Sequence, residues 1–233
     1  MKFTRRFAIG LTTAVALMAF QGAAHAEVEK VTIAVGGKSL FYYLPLTIAE
    51  QRGYFKEEGV NVEIVDFAGG SKALQAVVGG SADVVSGAYE HTIKLQGKKQ
   101  YFTAFVQQAR APQIVLAVST KTMPNYKTLA DLRGKKIGVT APGSSTNMVA
   151  SFVLDGAGVN SKEVSFIGVG AGSGAVAAMK TGQIDAIANL DPVISSLERD
   201  GAIKVLVDTR KMSATREVFG GDMPAGSLYA PET

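Results

Sequence analysis

Apolar residues along the chain fall into two similar series of short runs, with amphipathic segments between the runs. Runs rich in β-branched and aromatic residues predict strands. They cover residues 31–36, 60–67, 83–86 and 101–107 in the first half and 136–140, 164–169, 185–188 and 205–207 in the second. The segments between them repeat apolar residues at the spacing of one helix face. Strands that alternate with helices in this way predict parallel sheets covered on both faces.

The two series share a repeated unit. Residues 70–86 read GSKALQAVVGGSADVVS, and residues 172–188 read GSGAVAAMKTGQIDAIA. Each copy predicts a Gly-Ser turn, an amphipathic helix, a glycine stop and a short strand. Such a turn puts the free N–H groups of a helix N-terminus at the edge of a sheet, where anions bind. We therefore predict that two lobes present matching anion-binding edges to one cleft.

This organisation predicts an α/β fold of two Rossmann-like lobes with a ligand cleft between them. We place the first lobe at residues 27–112 and the second at residues 113–220, joined by extended chain that is typical of a hinge. Residues 226–230 have the pattern of a strand start. We expect residues 221–233 to begin a return crossover to the first lobe, with the remainder missing from a C-terminally truncated sequence.

The first 26 residues have the pattern of a secretory signal peptide. Lys2, Arg5 and Arg6 precede an apolar stretch, and Ala24 and Ala26 form an A-x-A cleavage site before Glu27. The alternative, a membrane anchor, is disfavoured because the apolar stretch is short for a bilayer span. We expect export to the periplasm without a lipid anchor, since the chain has no cysteine to carry one.

Charge and composition exclude several classes of function. The chain has a net charge of +4, but three basic residues belong to the predicted signal peptide, which leaves about +1 and no reason to expect nucleic acid. The absence of cysteine excludes disulfides, thiolate metal sites and a cysteine nucleophile. His91 is the only histidine after residue 26, so a histidine metal cluster or catalytic triad is not expected. We predict no cofactor, no metal and no catalytic residue.

Candidate ligand-binding residues lie at the predicted carboxyl ends of the strands, where parallel sheets bind ligands. Most are small, hydroxyl-bearing or aromatic, which suits binding by backbone N–H and hydroxyl groups. They are Ser39, Tyr42, Tyr43, Gly70, Ser71, Gly87, Tyr89, Glu90, Thr140, Ser144, Ser145, Thr146, Asn189 and Asp191.

Each of these residues also has a purely structural interpretation. The serines and Asp191 are typical helix N-caps, with Pro192 then at the first helical position. Glu90 suits the first turn of a helix, and the tyrosines suit a half-buried core. A rival functional interpretation is a dinucleotide site, because Gly170-x-Gly172-x-x-Ala175 follows a predicted strand and Asp191 ends the next one.

Several motifs together resemble a known family. Residues 42–67 read YYLPLTIAEQRGYFKEEGVNVEIVDF, and residues 69–76 follow GGS-x-x-L-Q-A. Residues 80–85 read G-x-x-D-V-V, and residues 129–139 read L-x-D-L-R-G-K-K-I-G-V. This set resembles the periplasmic substrate-binding proteins of ABC importers, in the nitrate/sulfonate/taurine-type branch that also includes binders of thiamine pyrimidines.

The resemblance implies a type II periplasmic binding protein, a monomer whose lobes close on a small molecule and deliver it to a membrane permease with its ATPase. A small organic anion, such as a sulfonate, taurine or a nitrate-like ion, is the expected ligand. The alternatives are a pyrimidine-like heteroaromatic ligand, an exported enzyme, and a sensor for a membrane receptor.

Overall fold

The computed structural model describes residues 30–232, and the predicted signal peptide lies outside this range. The strands are β1 (Lys30–Val35), β2 (Asn61–Asp66), β3 (Val84–Ala88), β4 (Phe102–Gln107), β5 (Val115–Ser119), β6 (Lys136–Val139), β7 (Ser165–Gly168), β8 (Ala186–Asn189), β9 (Ile203–Asp208) and β10 (Gly226–Pro231). The α-helices are α1 (Leu44–Arg52), α2 (Tyr54–Glu57), α3 (Gly70–Val78), α4 (Glu90–Gln96), α5 (Ser145–Gly156), α6 (Ser173–Thr181), α7 (Val193–Arg199) and α8 (Met212–Phe219). Short 3-10 helices cover Phe41–Tyr43, Leu129–Leu132 and Ser161–Glu163.

The strands form two five-stranded sheets, one in each lobe. Their orders are β2-β1-β3-β10-β4 and β7-β6-β8-β5-β9. The predicted α/β fold of two lobes is therefore confirmed, but the sheets are mixed rather than parallel. In the first sheet β10 runs antiparallel to β3 and β4, and in the second β5 runs antiparallel to β8 and β9. Both strands enter their sheet from the other lobe, so no helical crossover within the sheet fixes their direction.

Two passages of chain connect the lobes, and they are hydrogen-bonded to each other. One passage leads from β4 to β5, and the other leads from α8 to β10. Gln108 N and Ala109 N donate to Gly226 O at 2.6 and 3.0 Å, and Ala225 N donates to Ala109 O at 3.1 Å. A pair of bonded extended segments can act as a hinge, because rotation of a few backbone dihedrals moves one lobe against the other.

The repeated unit forms the predicted helix and strand in both lobes. In the first copy α3 buries Ala73, Ala76 and Val77. The aspartate that follows each helix has the same task in both copies, because its carboxylate accepts from the first N–H groups of a neighbouring strand. Asp83 Oδ2 accepts from Thr32 N at 2.7 Å, and Asp185 Oδ2 accepts from Lys136 N at 3.0 Å. These aspartates therefore set the register at the ends of the strands opposite the cleft.

Apolar side chains fill each lobe and continue between the lobes near the hinge. Tyr42, Ile114 and Val149, which come from the first lobe, the hinge side of β5 and the second lobe, belong to one buried cluster. Within residues 30–232 none of the helices combines the length and apolar character that a membrane span requires.

Candidate functional site

The N-terminus of α3 in the first lobe meets the N-terminus of α5 in the second. We call the contact between residues 69–71 and residues 141–145 the seam. Ser71 N donates to Ser144 Oγ at 3.0 Å, and Ser144 Oγ donates to Ser71 Oγ at 3.1 Å. Ser71 Oγ in turn donates to Pro142 O at 2.9 Å. Two of the residues predicted to bind a ligand from opposite lobes thus contact each other directly.

Ser144 occupies the N-cap position of α5 but caps the helix of the other lobe. Its backbone is extended, as an N-cap requires, yet its side chain makes no capping bond to α5. Instead its hydroxyl accepts the N–H of Ser71, in the first turn of α3. The N-cap interpretation alone therefore does not account for this serine. Because both helix ends are positive, the space between them favours oxygen acceptors and negative charge.

Glycines allow the backbones to approach closely at the seam. A Cβ on Gly69 would lie 2.8 Å from the Cβ of Ala141 and 3.0 Å from Ser144 Oγ. A Cβ on Gly36 would overlap the backbone of Gly70. The predicted Gly70 turn is thus held between the end of β1 and the second lobe. A side chain at Gly36 would displace this turn from β1, and a side chain at Gly69 would push the lobes apart.

Thr140 and Thr146 support the seam from within the second lobe. Both are buried. Thr140 N donates to Thr146 Oγ1 at 3.1 Å, and the two hydroxyls are 2.9 Å apart. These bonds tie the end of β6 to the first turn of α5. The two threonines, both predicted to bind a ligand, thus hold the N-terminus of α5 in place by bonding to each other.

Three polar side chains of the first lobe, Tyr42, Glu90 and His91, converge beside the seam. We call them the polar trio. Tyr42 OH, Glu90 Oε1 and His91 Nε2 are buried and have no hydrogen-bond partner within residues 30–232. His91 Nδ1 lies 3.1 Å from Tyr229 OH, and His91 Nε2 lies 3.7 Å from Glu90 Oε1. The latter distance is too long for a hydrogen bond. Each of the three side chains therefore keeps one polar atom that is free to bond to a ligand.

Burial controls the protonation of the trio. It raises the pKa of Glu90 to about 7, although a bond to its own backbone and the charge of Lys94 act in the opposite direction. It lowers the pKa of His91 to about 4, and the backbone of Gly143 offsets this only in part. Burial, with the nearby Glu90, also raises the pKa of Tyr42 well above its ordinary value. At neutral pH the imidazole is therefore uncharged, and the carboxyl group is near its titration midpoint.

A small cavity lies between the lobes at the trio. Its volume is about 10 Å³, which is about the space that one water molecule needs. Tyr42 and Glu90 line it from the first lobe and Ser145 from the second. The rest of the wall is apolar and comes from α5 and the hinge, including Met148, Val149, Pro112, Ile114, Met223, Pro224 and Ala225. A wider groove of about 600 Å³ lies elsewhere, on the outer side of α2 and β2.

Ser39 and Tyr43 lie on either side of the loop that follows β1. Ser39 Oγ donates to Ala171 O, in the second lobe, at 3.4 Å. Tyr43 is buried and its hydroxyl accepts from Gly36 N at 3.2 Å. Ser39 therefore belongs to the interlobe contact, whereas Tyr43 packs inside the first lobe.

The structure places Gly87, Tyr89 and Asn189 away from the seam and the polar trio's cavity. Gly87 lies within β3 and is paired with Ser227 of β10. Tyr89 lines an outer groove along β4 and β10. Asn189 is fully buried, and its Nδ2 donates to Gly170 O at 3.0 Å. Gly87 and Asn189 therefore bond within their own lobes, whereas Tyr89 lines a groove, and ligand binding at all three positions stays a prediction.

The side chain of Asp191 is held within its own lobe, whereas its backbone oxygen accepts from Phe41 N of the first lobe at 3.0 Å. Its Oδ1 accepts from Ser195 N at 3.0 Å and from Ser195 Oγ at 2.6 Å, and its Oδ2 lies 3.3 Å from Arg210 Nη1. Helix α7 begins at Val193 with Pro192 as N-cap, so the predicted helix start at these residues is shifted by one. Because its carboxylate is engaged by Arg210, Asp191 is not placed as the free ribose-binding acid of a dinucleotide site.

His91 is the functional candidate that the sequence analysis did not select. The only signal for it was its position next to Glu90 at the end of a predicted strand. Among residues 30–232 no cluster of three or more His, Asp or Glu side chains is placed to hold a metal ion.

Comparison with known sequences gives one family match and several relatives. The model of the family described as NMT1/THI5 like matches residues 40–212. The Bacillus subtilis (strain 168) protein YtlA is 30% identical over 128 residues, which are 54% of this chain and 37% of that protein. The 4-amino-5-hydroxymethyl-2-methylpyrimidine phosphate synthase of Schizosaccharomyces pombe is 25% identical over 111 residues, 47% of this chain and 31% of the enzyme. The chain thus matches about a third of the length of these relatives.

Solved structures share the fold. A protein from Bordetella bronchiseptica RB50 is 66% identical with a TM-score of 0.86, covering 87% of this chain and 64% of its own. The alkanesulfonate-binding protein SsuA from Xanthomonas axonopodis pv. citri, bound to MOPS, is 22% identical with a TM-score of 0.64, covering 86% of this chain and 65% of its own. The fold predicted from the sequence, that of a periplasmic binding protein, is confirmed by these likenesses.

Proposed function

The chain belongs to the NMT1/THI5-like family, and from this premise we propose that it is the periplasmic substrate-binding protein of an ABC importer, which binds a small organic anion between its lobes. The observation that carries the proposal is the pair of hydrogen bonds between Ser71 and Ser144 at the seam, by which Ser144 caps the helix to which Ser71 belongs. A sulfonate or nitrate-like ion is the preferred ligand, and the permease and ATPase of an importer are the partners.

The proposed binding step replaces one acceptor by another. When the lobes part, Ser71 N and both seam hydroxyls are free to bond to a ligand. An anion oxygen then takes the place of Ser144 Oγ as the acceptor for Ser71 N, while Ser71 Oγ and Ser144 Oγ turn their protons towards the anion. The positive ends of α3 and α5 favour this charge, and lobe closure strengthens the bonds by excluding water. The closed form is then the one that the permease recognises.

A thermal-shift panel tests the proposal. We expect ethanesulfonate, taurine or nitrate to raise the melting temperature of the protein, because a ligand that binds only the folded state stabilises it. The double variant Ser71→Ala/Ser144→Ala should lose about 1–3 kcal/mol of binding free energy by calorimetry. Ser173→Ala is the matched control, since Ser173 holds the equivalent position in the second copy of the repeat and is exposed. Absence of any shift with these anions would refute an anion-binding function.

The polar trio favours a second candidate ligand, a neutral or cationic heteroaromatic molecule such as a pyrimidine. Tyr42 and Glu90 line the cavity with unused hydrogen-bonding capacity, and an ionised Glu90 can accept ligand N–H groups. One curated relative is named for a pyrimidine phosphate product. Pyrimidines in the same panel test this candidate, and product analysis of any pyrimidine-containing sample tests for an enzyme rather than a binding protein.

A further inference from the structure

We propose that His91 is a ligand-binding residue and that, together with Glu90, it makes anion binding at the seam depend on the uptake of a proton. This inference rests on the proposed anion-binding function and names the residues that regulate it. It assigns a role to the one histidine among residues 30–232, which the mechanism of anion capture by hydroxyls and backbone N–H groups leaves unused.

The position of His91 places its ring against both halves of the seam. Its Cε1 lies 3.4 Å from where a Cβ on Gly70 would be, at the first residue of α3. The backbone of Gly143, in the loop before α5, is close enough to affect its pKa. The side chain is only 3% exposed, so the imidazole is nearly sealed between the lobes.

The unused valence of the ring points to a ligand. Nδ1 lies 3.1 Å from Tyr229 OH, whereas the buried Nε2 meets no hydrogen-bond geometry within residues 30–232. The Gly143 backbone lies close enough to the ring to favour its protonation, but it does not satisfy Nε2 at hydrogen-bond geometry. A buried polar atom without a partner carries a free-energy cost in the folded protein. An anion at the seam would supply the acceptor that a protonated Nε2 needs, and it would remove that cost.

The groups around His91 leave the anion as the main source of a charge change. Lys94, one turn further along α4, is the cation nearest to the trio and disfavours imidazolium. Tyr42, Tyr43 and Tyr229 lie close to Glu90, from the segment before α1 and from β10, and burial keeps their hydroxyls protonated. On the α5 side, Asp155 lies in the same outer groove as Lys94. No further charged side chain of the second lobe lines the trio's cavity among the described residues.

An anion shifts both members of the pair in the same direction. Its negative charge stabilises imidazolium and destabilises the Glu90 carboxylate, so the pKa of each group rises on binding. Both shifts mean that protons are taken up with the anion. Affinity should therefore fall as the pH rises through the interval between the free and bound pKa values, by up to about tenfold per pH unit for one proton. For His91 this interval begins at about 4, and for Glu90 it begins at about 7.

The test is calorimetric titration of the protein with ethanesulfonate and with nitrate at pH 6 and pH 7.5, in two buffers of different ionisation enthalpy. The difference between the buffers gives the number of protons exchanged. We expect uptake of a fraction of a proton or more, and weaker binding at the higher pH. Binding without proton exchange, or with proton release, would overturn the inference while leaving the proposed function intact. Absence of binding by both anions would overturn both.

Variants then identify the groups. Glu90→Gln/His91→Gln should bind with no proton uptake and with an affinity that no longer depends on pH. Glu63→Gln is the control, since Glu63 is an exposed residue of β2 that pairs with Lys30. The imidazole NMR signal of His91, identified by its loss in His91→Gln, should move towards the protonated position on addition of anion. An unchanged signal in the unsubstituted protein would overturn the role of His91 even if the double variant failed to fold.

Discussion

Substitution of Ser144 by alanine tests the central contact between the lobes. The change removes the acceptor for Ser71 N and the donor to Ser71 Oγ, but it leaves the bond from Ser71 Oγ to Pro142 O in place. It does not remove a capping bond from α5, because Ser144 makes none. The helix itself should therefore persist, and the effect should fall on the contact between the lobes.

The expected magnitude follows from two lost hydrogen bonds. Each is partly buried, so each contributes at the lower end of the usual range, about 0.5–1 kcal/mol. Water can reach Ser71 once the lobes part, which avoids the penalty for an unsatisfied buried group. A total of about 1–2 kcal/mol lowers the ratio of closed to open molecules roughly 5- to 30-fold.

Single-molecule energy transfer can measure this ratio. The chain has no cysteine, so Lys56→Cys and Lys162→Cys, which replace exposed residues of different lobes, give two specific labelling sites. Ser144→Ala should shift the population towards the longer interlobe distance, whereas Ser173→Ala should not. If the Ser144→Ala variant shows the same distance distribution as its parent, the hydrogen bonds between Ser71 and Ser144 do not hold the lobes together, and the reasoning fails.

Three further predictions concern stability. Thr146→Val should lower the urea midpoint by the equivalent of about 1–3 kcal/mol, because it leaves the buried N–H and hydroxyl of Thr140 without their partner; an unchanged midpoint would contradict this. Arg210→Met should cost about 1–3 kcal/mol, since Arg210 pairs with Asp191, Glu198 and Asp208 in a partly buried cluster, and urea denaturation that matches the parent would show that solvent screens the cluster. Glu90→Gln should gain stability relative to the parent as the pH rises: burial raises the pKa of Glu90 to about 7 from 4.5, so the parent loses stability between these values, by an amount of order 3 kcal/mol. Denaturation of both proteins at pH 5 and pH 8 measures the difference, and parallel pH profiles would exclude Glu90 as the source.

Local sequence patterns were sufficient to predict the elements that close on their sequence neighbours. The helix of each repeated unit and the strand after it form by short-range apolar spacing and glycine stops. Gly53 ends α1 in the same way, and its φ of 79° shows why glycine stands there. The aspartates of the repeat had a physical task that the sequence did not disclose, because their N–H partners lie on other strands.

Long-range pairing was the main limit of the sequence analysis. The extended chain at the predicted lobe boundary was interpreted as a hinge, but β5, which begins there, is a fully buried strand inside the second sheet. A continuous apolar run is typical of a strand covered on both faces, so its burial was readable while its antiparallel direction was not. Helix α8 was not predicted, although Val218 and Phe219 at its C-terminal end pack against the core and Thr215 is buried.

The candidate site could be predicted by position more reliably than by role. Serines at helix starts were found correctly, but a sequence cannot tell whether such a hydroxyl caps its own helix or one in another lobe. Ser144 caps the helix of the other lobe, whereas the side chain of Asn189 bonds within its own lobe. The burial that leaves His91 without a partner depends on the packing of α4 and β10 against the seam, and local spacing carries no trace of it.

The contacts between the lobes follow the same approximate twofold symmetry as the repeat. The differences between the two contacts identify the residues that could give selectivity. The start of each repeated unit contacts a loop of the other lobe. Ser71 meets Pro142, in the loop after β6, and Ala171, just before the second copy, meets Ser39, in the loop after β1. The first contact carries three short hydrogen bonds and borders the polar trio, whereas the second carries a bond of 3.4 Å from Ser39 and a backbone bond of 3.0 Å from Phe41 N to Asp191 O. A duplicated framework would suffice to bring two lobes together around any small anion. Selectivity and proton dependence require groups that only one half possesses, so substitutions at His91 and Glu90 should alter which anions bind, and at what pH, more than substitutions at Ser39.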